Sequence, residues 1–325
     1  MAGAVRTLVV GAVLTGTLAG CARSTLLQDQ WPAAAPAAVE LESTPFYPQD
    51  DYQCGPAALA TLLGAAGRPS SPEALVDEVY IPARRGSLQP EMVAAARQRG
   101  LVIYPVRESL SDLLAQLEAG HPVLVLQNLG IPALPVWHYA VMIGADADAD
   151  RIILRSGRER RRLESAGDFN RRWGLAGYWG LVALTPGALP ANPDWPVYLS
   201  AVADLETAGH REGAGRAYEA ALAMEPDLAA ARLGLANVLF ASGRFEEAAA
   251  LYESLAGDPD YAPVALNNLA NLRADQGCME AASDAIERAL AAAGPDSGFE
   301  SALASTRARV AAQASGDHHC AEPAR

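Results

Sequence analysis

The chain has 325 residues, of which 50% are apolar and 19% are charged, and its formal net charge is −13. This composition is typical of a globular protein, and a mature length of about 300 residues favours two domains of ordinary size. The acidic balance argues against nucleic acid as a partner, because phosphate binding needs a clustered cationic surface.

The first twenty residues have the features of a secretory signal. Arg6 is the only charge before an apolar run over Leu8–Leu18, which is too short to cross about 30 Å of hydrocarbon. The run ends in Leu18-Ala19-Gly20-Cys21, which resembles the lipobox of bacterial lipoproteins. That resemblance implies a signal peptide at 1–20, a lipid on Cys21 and a periplasm-facing place in the cell envelope. Ala22 favours the outer over the inner membrane, and the alternative is an ordinary signal peptide with an incidental cysteine.

A Pro/Ala-rich stretch at 21–40 predicts a semi-extended tether. The next part, 41–187, predicts helices followed by strands, which is an α+β order. Ser71, Ser87 and Ser109 are the expected N-caps of the last three helices. The predicted helices are Gly55–Ala66, Pro72–Val79, Gln89–Arg99 and Leu110–Ala119, and the predicted strands are Leu101–Val106, Pro122–Gln127, His138–Ile143, Arg151–Arg155 and Tyr178–Leu184.

The third part, 188–296, repeats with a period of 34 residues. A turn glycine, a small residue where helices cross and a closing proline at this period indicate about three tetratricopeptide units, which stack because one helix hairpin cannot bury its apolar stripe alone. The alternative is an alanine-rich helical bundle. A capping helix is expected at 297–314 and a loose tail at 315–325. The repeating positions are Gly209, Gly243 and Gly277, then Ala214, Ala248 and Ala282, then Tyr218, Tyr252 and Ile286, with Pro226 and Pro259 closing the first two units.

Candidate chemistry centres on Cys54, which lies between an extended stretch and an alanine-rich helix. A helix N-terminus favours an anion, here a thiolate, and such a nucleophile needs a base and an oxyanion donor. Gly55 permits close approach of a substrate backbone, and Pro56 suits the first helical turn. Gln49 is the candidate oxyanion donor.

The base must be a histidine, and the domain contains only His121 and His138. His121, in a turn before a strand, is expected to face solvent. His138 opens a strand and, paired with the Cys-Gly-Pro motif, is the predicted general base of an acyl-transfer reaction.

Two segments, Pro48-Gln49…Cys54-Gly55-Pro56-Ala57-Ala58-Leu59 and His138-Tyr139-Ala140-Val141-Met142-Ile143-Gly144, resemble the bacteriocin-processing (double-glycine leader) cysteine peptidases. The resemblance covers about 41–186. It implies a papain-like fold, a peptide or protein substrate, no cofactor, and Cys54, His138 and Gln49 as nucleophile, base and oxyanion residue.

The chain departs from this family's pattern at the residue that orients the histidine. Ser156 stands where the family has an aspartate. Asp146, Asp148, Asp150 and Asn128 remain candidates for that role. The departure keeps two alternatives open, a catalytically degenerate peptide-binding lipoprotein and a thiol amidase or transamidase.

Four further assignments concern features outside the candidate site. Arg158-Glu159-Arg160-Arg161-Arg162 is expected to form a solvated turn or helix start. Cys278 and Cys320 could form a disulfide bond in an oxidising envelope. His318-His319-Cys320 lacks the spacing of a structural zinc site, so no metal is expected. The repeats are expected to bind a protein partner.

Overall fold

A computed structural model describes residues 25–31, 36–49, 53–294 and 298–314. The first domain is α+β and the second is helical. In chain order the first domain contains α1 Leu26–Gln30, β1 Ala38–Glu40, α2 Cys54–Ala65, α3 Pro72–Val79, α4 Gln89–Arg97, β2 Val102–Pro105, α5 Leu110–Glu118, β3 Val123–Asn128, β4 Trp137–Asp146, β5 Arg151–Ser156, β6 Glu159–Ser165, α6 Ala166–Gly174 and β7 Gly180–Leu184. The second contains α7 Trp195–Thr207, α8 Arg211–Met224, α9 Ala229–Ala241, α10 Phe245–Ser254, α11 Ala262–Asp275, α12 Met279–Ala292 and α13 Glu300–Ala314.

All four predicted helices of the first domain are present, and two of their three expected caps form. Ser71 accepts the backbone N–H of Ala74 at 3.3 Å, and Ser109 accepts that of Asp112 at 3.1 Å. Each bond satisfies a backbone donor that has no partner within the helix. The cap predicted at Ser87 is wrong: α4 begins at Gln89, as predicted, but Leu88 is its N-cap residue and no side chain caps it.

The strands form one antiparallel sheet in the order β2-β7-β3-β4-β5-β6, and β1 pairs with the far end of β4. One face packs against α5 and α6, and the other packs against α2, α3 and α4. Since side chains alternate along a strand, neighbouring residues of β4 belong to different faces: Met142 packs with the first face and Val141 with the second.

Strand β6 corrects the prediction of a solvated turn or helix start at 158–162. Glu159–Ser165 pairs with β5 and forms one edge of the sheet. The exposed, charged side chains along this strand suit an edge, because charges there prevent pairing with another chain.

Residues 21–40 were predicted to form a tether, but the described part of this interval includes a helix that packs against the first domain. Helix α1 starts with a capping box at Thr25, whose hydroxyl donates to the carbonyl of Ala147 at 3.0 Å. Leu27 is 0% exposed, and its backbone N–H donates to Asp150. An apolar side chain that reaches the core holds this segment against the far end of β4, which composition alone does not reveal.

The repeat period corresponds to three helix hairpins, α7/α8, α9/α10 and α11/α12, with α13 packed against the last. Gly209, Gly243 and Gly277 all have positive φ, between 77° and 92°, just after the first helix of each hairpin. This backbone region favours glycine, which explains its recurrence. The small residues Ala214, Ala248 and Ala282 are all 0% exposed.

The two domains share one apolar core. Helix α7 packs on β2, and Tyr198 and Leu205 from that helix belong to the same cluster as the sheet residues Val102 and Val182. Arg97 and Asp204 form an ion pair across the junction at 2.6 Å. The repeats therefore lie against the first domain instead of extending from it on a linker.

Candidate active site

Cys54 is the first residue of α2, at the junction predicted from the sequence. Gly55 follows in a crowded position, where an added Cβ would lie 2.1 Å from Ser87 Oγ. Any larger residue at 55 would push Ser87 away, so this glycine is required for packing beside the cysteine as well as for access to it.

The Cys54 thiol is surrounded by backbone donors but is also withdrawn from water. Backbone N–H groups of Tyr139, Gly55 and Cys54 itself lower its pKa, yet burial has the larger effect and raises the pKa above its ordinary value. Burial therefore favours the protonated thiol at neutral pH and opposes the thiolate that the helix N-terminus favours. The helix N-terminus favours the anion, but desolvation outweighs it.

His138 lies near the start of β4, and its Nε2 is 2.8 Å from Ser156 Oγ. Burial and, to a smaller extent, the charge of Arg162 lower the pKa of this ring to about 4, against an opposing effect of Glu164. The imidazole is therefore neutral at pH 7. In the tautomer whose Nε2–H donates to Ser156 Oγ, Nδ1 is the nitrogen left to accept a proton. No hydrogen bond joins the Cys54 thiol and the ring among the described residues.

A small pocket brings most of the predicted site together. Gln49, Cys54, Tyr139, Ser156 and Gly157 all line it. The Gln49 backbone N–H donates to the Gly157 carbonyl at 3.2 Å, which ties the loop before α2 to the turn after β5. His138 does not line this pocket itself and is connected to it through Ser156.

Two parts of the chain match known families. Residues 41–179 match the Peptidase_C39 like family, and residues 207–256 match the tetratricopeptide repeat. The first domain is a C39-like peptidase domain. This confirms the predicted kind of domain, its α+β fold and the tetratricopeptide character of the second region.

Two solved structures resemble this C39-like domain. One is a C39-like peptidase from Bacillus anthracis, with 16% identity and a TM-score of 0.40, covering 45% of this chain and 97% of that one. The other is the peptidase domain of Streptococcus ComA, a bifunctional ABC transporter involved in a quorum sensing pathway, with 20% identity and a TM-score of 0.36, covering 43% of this chain and 98% of that one. No curated protein is significantly similar to the chain.

Within the C39-like domain, the structure distinguishes among the candidates for orienting His138. Asn128 instead accepts the backbone N–H groups of Gly130 and Val136. Asp146 is the last residue of β4, about 26 Å from His138 at the usual rise per residue. Asp148 and Asp150 follow it in the turn to β5. Of these residues and Ser156, it is Ser156, at the position where an aspartate was expected, that forms a hydrogen bond with the ring.

Two residues beside His138 were not predicted. Gln127 pairs with His138 across the ladder, and its amide donates to Glu164 at 2.9 Å. The Glu164 carboxylate is 3% exposed and is also 2.6 Å from Arg172. A buried carboxylate therefore lies near the histidine, although the pattern's aspartate is missing. The sequence indicated Glu164 near the histidine only weakly, because residues 158–162 were predicted as a solvated turn or helix start. Gly157, which lies between two short strand-like runs, is the residue that indicates a β-hairpin here.

The remaining sequence assignments have mixed outcomes. His121 is not a freely solvated turn residue: its ring is half-buried and lies 3.1 Å from the Leu189 carbonyl. Cys54 is a free thiol, and Cys278 is bonded in a disulfide. Cys21 and Cys320, with the signal peptide and the tail from 315, lie outside the described residues. Within the described ranges, no helix is long and apolar enough to cross a membrane, and no group of acidic, histidine and cysteine side chains is arranged to hold a metal.

Proposed function

We propose that this protein is a cysteine peptidase that cleaves peptide bonds, with Cys54 as nucleophile, His138 as general base and Gln49 as oxyanion donor. The observation that supports this most directly is the arrangement around one pocket: Cys54 begins a helix, and Ser156 lines the same pocket while holding the His138 ring.

The pKa directions define the first step. A raised pKa at Cys54 and a lowered pKa at His138 both favour the neutral pair over a thiolate–imidazolium pair. Sulfur therefore attacks the carbonyl carbon as its proton moves to His138 Nδ1, so that the C–S bond forms while S–H breaks. The resting enzyme is expected to react slowly with electrophiles at neutral pH.

The later steps use the same groups. The Cys54 backbone N–H and the Gln49 amide hold the negative oxygen of the tetrahedral intermediate. The C–N bond then breaks, and the His138 imidazolium gives its proton to the leaving amine. Water, deprotonated by His138, hydrolyses the thioester and regenerates the thiol. Ser156 orients the ring but contributes no charge to stabilise the imidazolium.

We also propose that Cys21 carries a lipid that anchors the protein in the bacterial envelope, facing the periplasm and more specifically at the outer membrane. The tetratricopeptide units would bind a protein partner or the substrate. Support for the anchor is the Leu18-Ala19-Gly20-Cys21 sequence alone. Mass spectrometry of the N-terminal peptide from the native membrane fraction tests it: an unmodified Cys21 would contradict the proposal.

A second candidate is a peptide-binding domain without turnover. It is favoured by the same pKa shifts, which disfavour the reactive ion pair, and by the neutral Ser156 beside the histidine. An amidase or transamidase would use the same residues on another amide, and the masses of the products distinguish it from a peptidase.

The deciding experiment is digestion of a mixed peptide library, followed by mass spectrometry. Wild-type protein should produce new peptide termini, whereas Cys54→Ala and His138→Ala should produce none. His121→Ala is the matched histidine control, since its ring contacts the Leu189 carbonyl and not the pocket. No cleavage by the wild type, or equal cleavage by Cys54→Ala, would refute the peptidase proposal.

A further inference from the structure

An exposed apolar loop borders one side of the candidate active site. Residues 129–136, which connect β3 to β4, and Trp137, the first residue of β4, contain no charged side chain. Five of their apolar side chains are between 39% and 73% exposed: Leu129, Ile131, Leu134, Val136 and Trp137. We call residues 129–137 the apolar loop. Clustered exposed apolar surface of this kind marks an interaction site more often than scattered single residues do.

The apolar loop is held in one conformation by hydrogen bonds. Asn128 Oδ1 accepts the backbone N–H of Gly130 at 2.9 Å and that of Val136 at 3.0 Å. Ile131 and Leu134 also form an isolated β-bridge across the loop. The apolar side chains are therefore presented to solvent by a fixed backbone, which reduces the entropy lost when they bind.

The opposite side of the site is positively charged. Residues 157–160, which we call the arginine turn, comprise the two-residue connection between β5 and β6 and the first two residues of β6. Arg158 and Arg160 are exposed, and neither forms an ion pair within the described residues. Arg161 pairs with Glu40, and Glu159, the acidic residue of this turn, pairs with Arg162, which also contacts Glu164. Two unneutralised cations beside one pocket are notable in a chain of net charge −13.

Sheet topology places these two surfaces on either side of the histidine. In the order β3-β4-β5-β6, the apolar loop precedes His138 on β4 and the arginine turn follows Ser156 on β5. Because β4 and β5 are antiparallel, both connections lie at the same end of the sheet. Gly157 of the arginine turn also lines the pocket that contains Cys54.

We infer that the substrate is an extended polypeptide segment with apolar side chains on one side of the scissile bond and acidic side chains on the other. This inference rests on the proposed function and assigns its substrate class. A chain crossing the pocket along this end of the sheet meets the apolar loop and the arginine turn in succession. Apolar burial supplies affinity on one side, and charge complementarity sets the register on the other.

Binding to an inactive variant tests the inference independently of turnover. The chain from residue 22, which contains every element described above, carries Cys54→Ala and is titrated by fluorescence anisotropy with labelled decapeptides. One peptide has an apolar half followed by an acidic half, a second has the reverse order, and a third replaces the apolar half with serine. One of the first two should bind at least about 10-fold more tightly than the other two, which is about 1.4 kcal/mol.

Variants of each surface assign the effect. Ile131→Ser with Leu134→Ser should weaken the preferred peptide about 10-fold. Arg158→Glu with Arg160→Glu should weaken it similarly and create affinity for a peptide whose acidic half is replaced by arginine. Met224→Ser is the matched control, because Met224 is an equally exposed apolar residue, 60% accessible, on α8 of the repeats.

The contradicting outcomes are separate from failure of the peptidase proposal. Equal affinities for all peptides, or affinities unchanged by both surface variants, would overturn the inference even if the wild type cleaves peptides. Vesicles of phosphatidylethanolamine and phosphatidylglycerol supply a further arm: if the apolar loop substitutions abolish only sedimentation with these vesicles, the surface binds lipid and the inference is wrong. Peptide preference with no cleavage by the wild type would support the inference and refute the peptidase.

Discussion

Replacing Ser156 by aspartate should restore a charged partner for His138. Ser156 Oγ is 2.8 Å from His138 Nε2, and the residue is 5% exposed. A carboxylate about 3 Å from an imidazolium gains about 5 kcal/mol at an effective dielectric constant near 20. Desolvation of the new carboxylate removes a large part of that gain. The net effect should raise the pKa of His138 from about 4 to between about 5 and 7.

The same substitution should increase the reactivity of Cys54. A histidine that is more easily protonated favours the thiolate–imidazolium pair, so the pH at which iodoacetamide labels Cys54 at half its maximal rate should fall. Imidazole NMR titration, with His138→Gln to assign the resonance, measures the histidine directly. Ser156→Asn is the matched control, because it keeps a polar side chain of similar size without the charge.

Two results would refute this reasoning. If Ser156→Asp leaves His138 titrating near pH 4, the geometry around Nε2 differs from that described here. If Ser156→Asn raises the pKa as much as the aspartate does, charge is not the cause. Far-UV circular dichroism of both variants establishes that the sheet is intact before either conclusion is drawn.

Three other predictions concern stability and are measured by urea unfolding. As pH falls from 6.5 to about 4, His138 becomes protonated in the unfolded chain before it does in the folded protein. The free energy of unfolding of the wild type should therefore fall by up to about 3 kcal/mol relative to that of His138→Gln. Parallel pH profiles of the two proteins would contradict the pKa of about 4. Gly234→Ala should destabilise the repeats by about 1–3 kcal/mol, because the new Cβ would lie 2.4 Å from the Tyr218 ring. Gly167→Ala, whose Cβ would have nothing within 4 Å, should be neutral or stabilising. A larger loss of stability for Gly167→Ala than for Gly234→Ala would contradict the packing of α9 on α8. Leu27→Ala should cost about 2–5 kcal/mol, since this side chain is 0% exposed, and a loss below about 0.5 kcal/mol would mean that α1 is not docked.

Features carried by short stretches of chain could be predicted from the sequence. The backbone needs a positive φ at Gly209, Gly243 and Gly277, and this need recurs every 34 residues. It appears in the sequence as glycine at a constant spacing. Cys54 at the start of a helix and His138 at the start of a strand were also local features. The observed helix and strand differ from the predicted ones by a few residues at their ends.

Properties that depend on residues distant in the chain required the tertiary structure. Whether Cys54 is a thiol or a thiolate depends on how much water its neighbours exclude, and the sequence indicated only the helix N-terminus, which was the weaker effect. Glu164 reaches the neighbourhood of His138 only because β6 pairs with β5. Leu27 holds α1 to the domain only because it packs in an apolar cluster built from residues distant in the chain. Local backbone preferences depend on adjacent residues, whereas desolvation and cross-strand contacts exist only once the chain has folded.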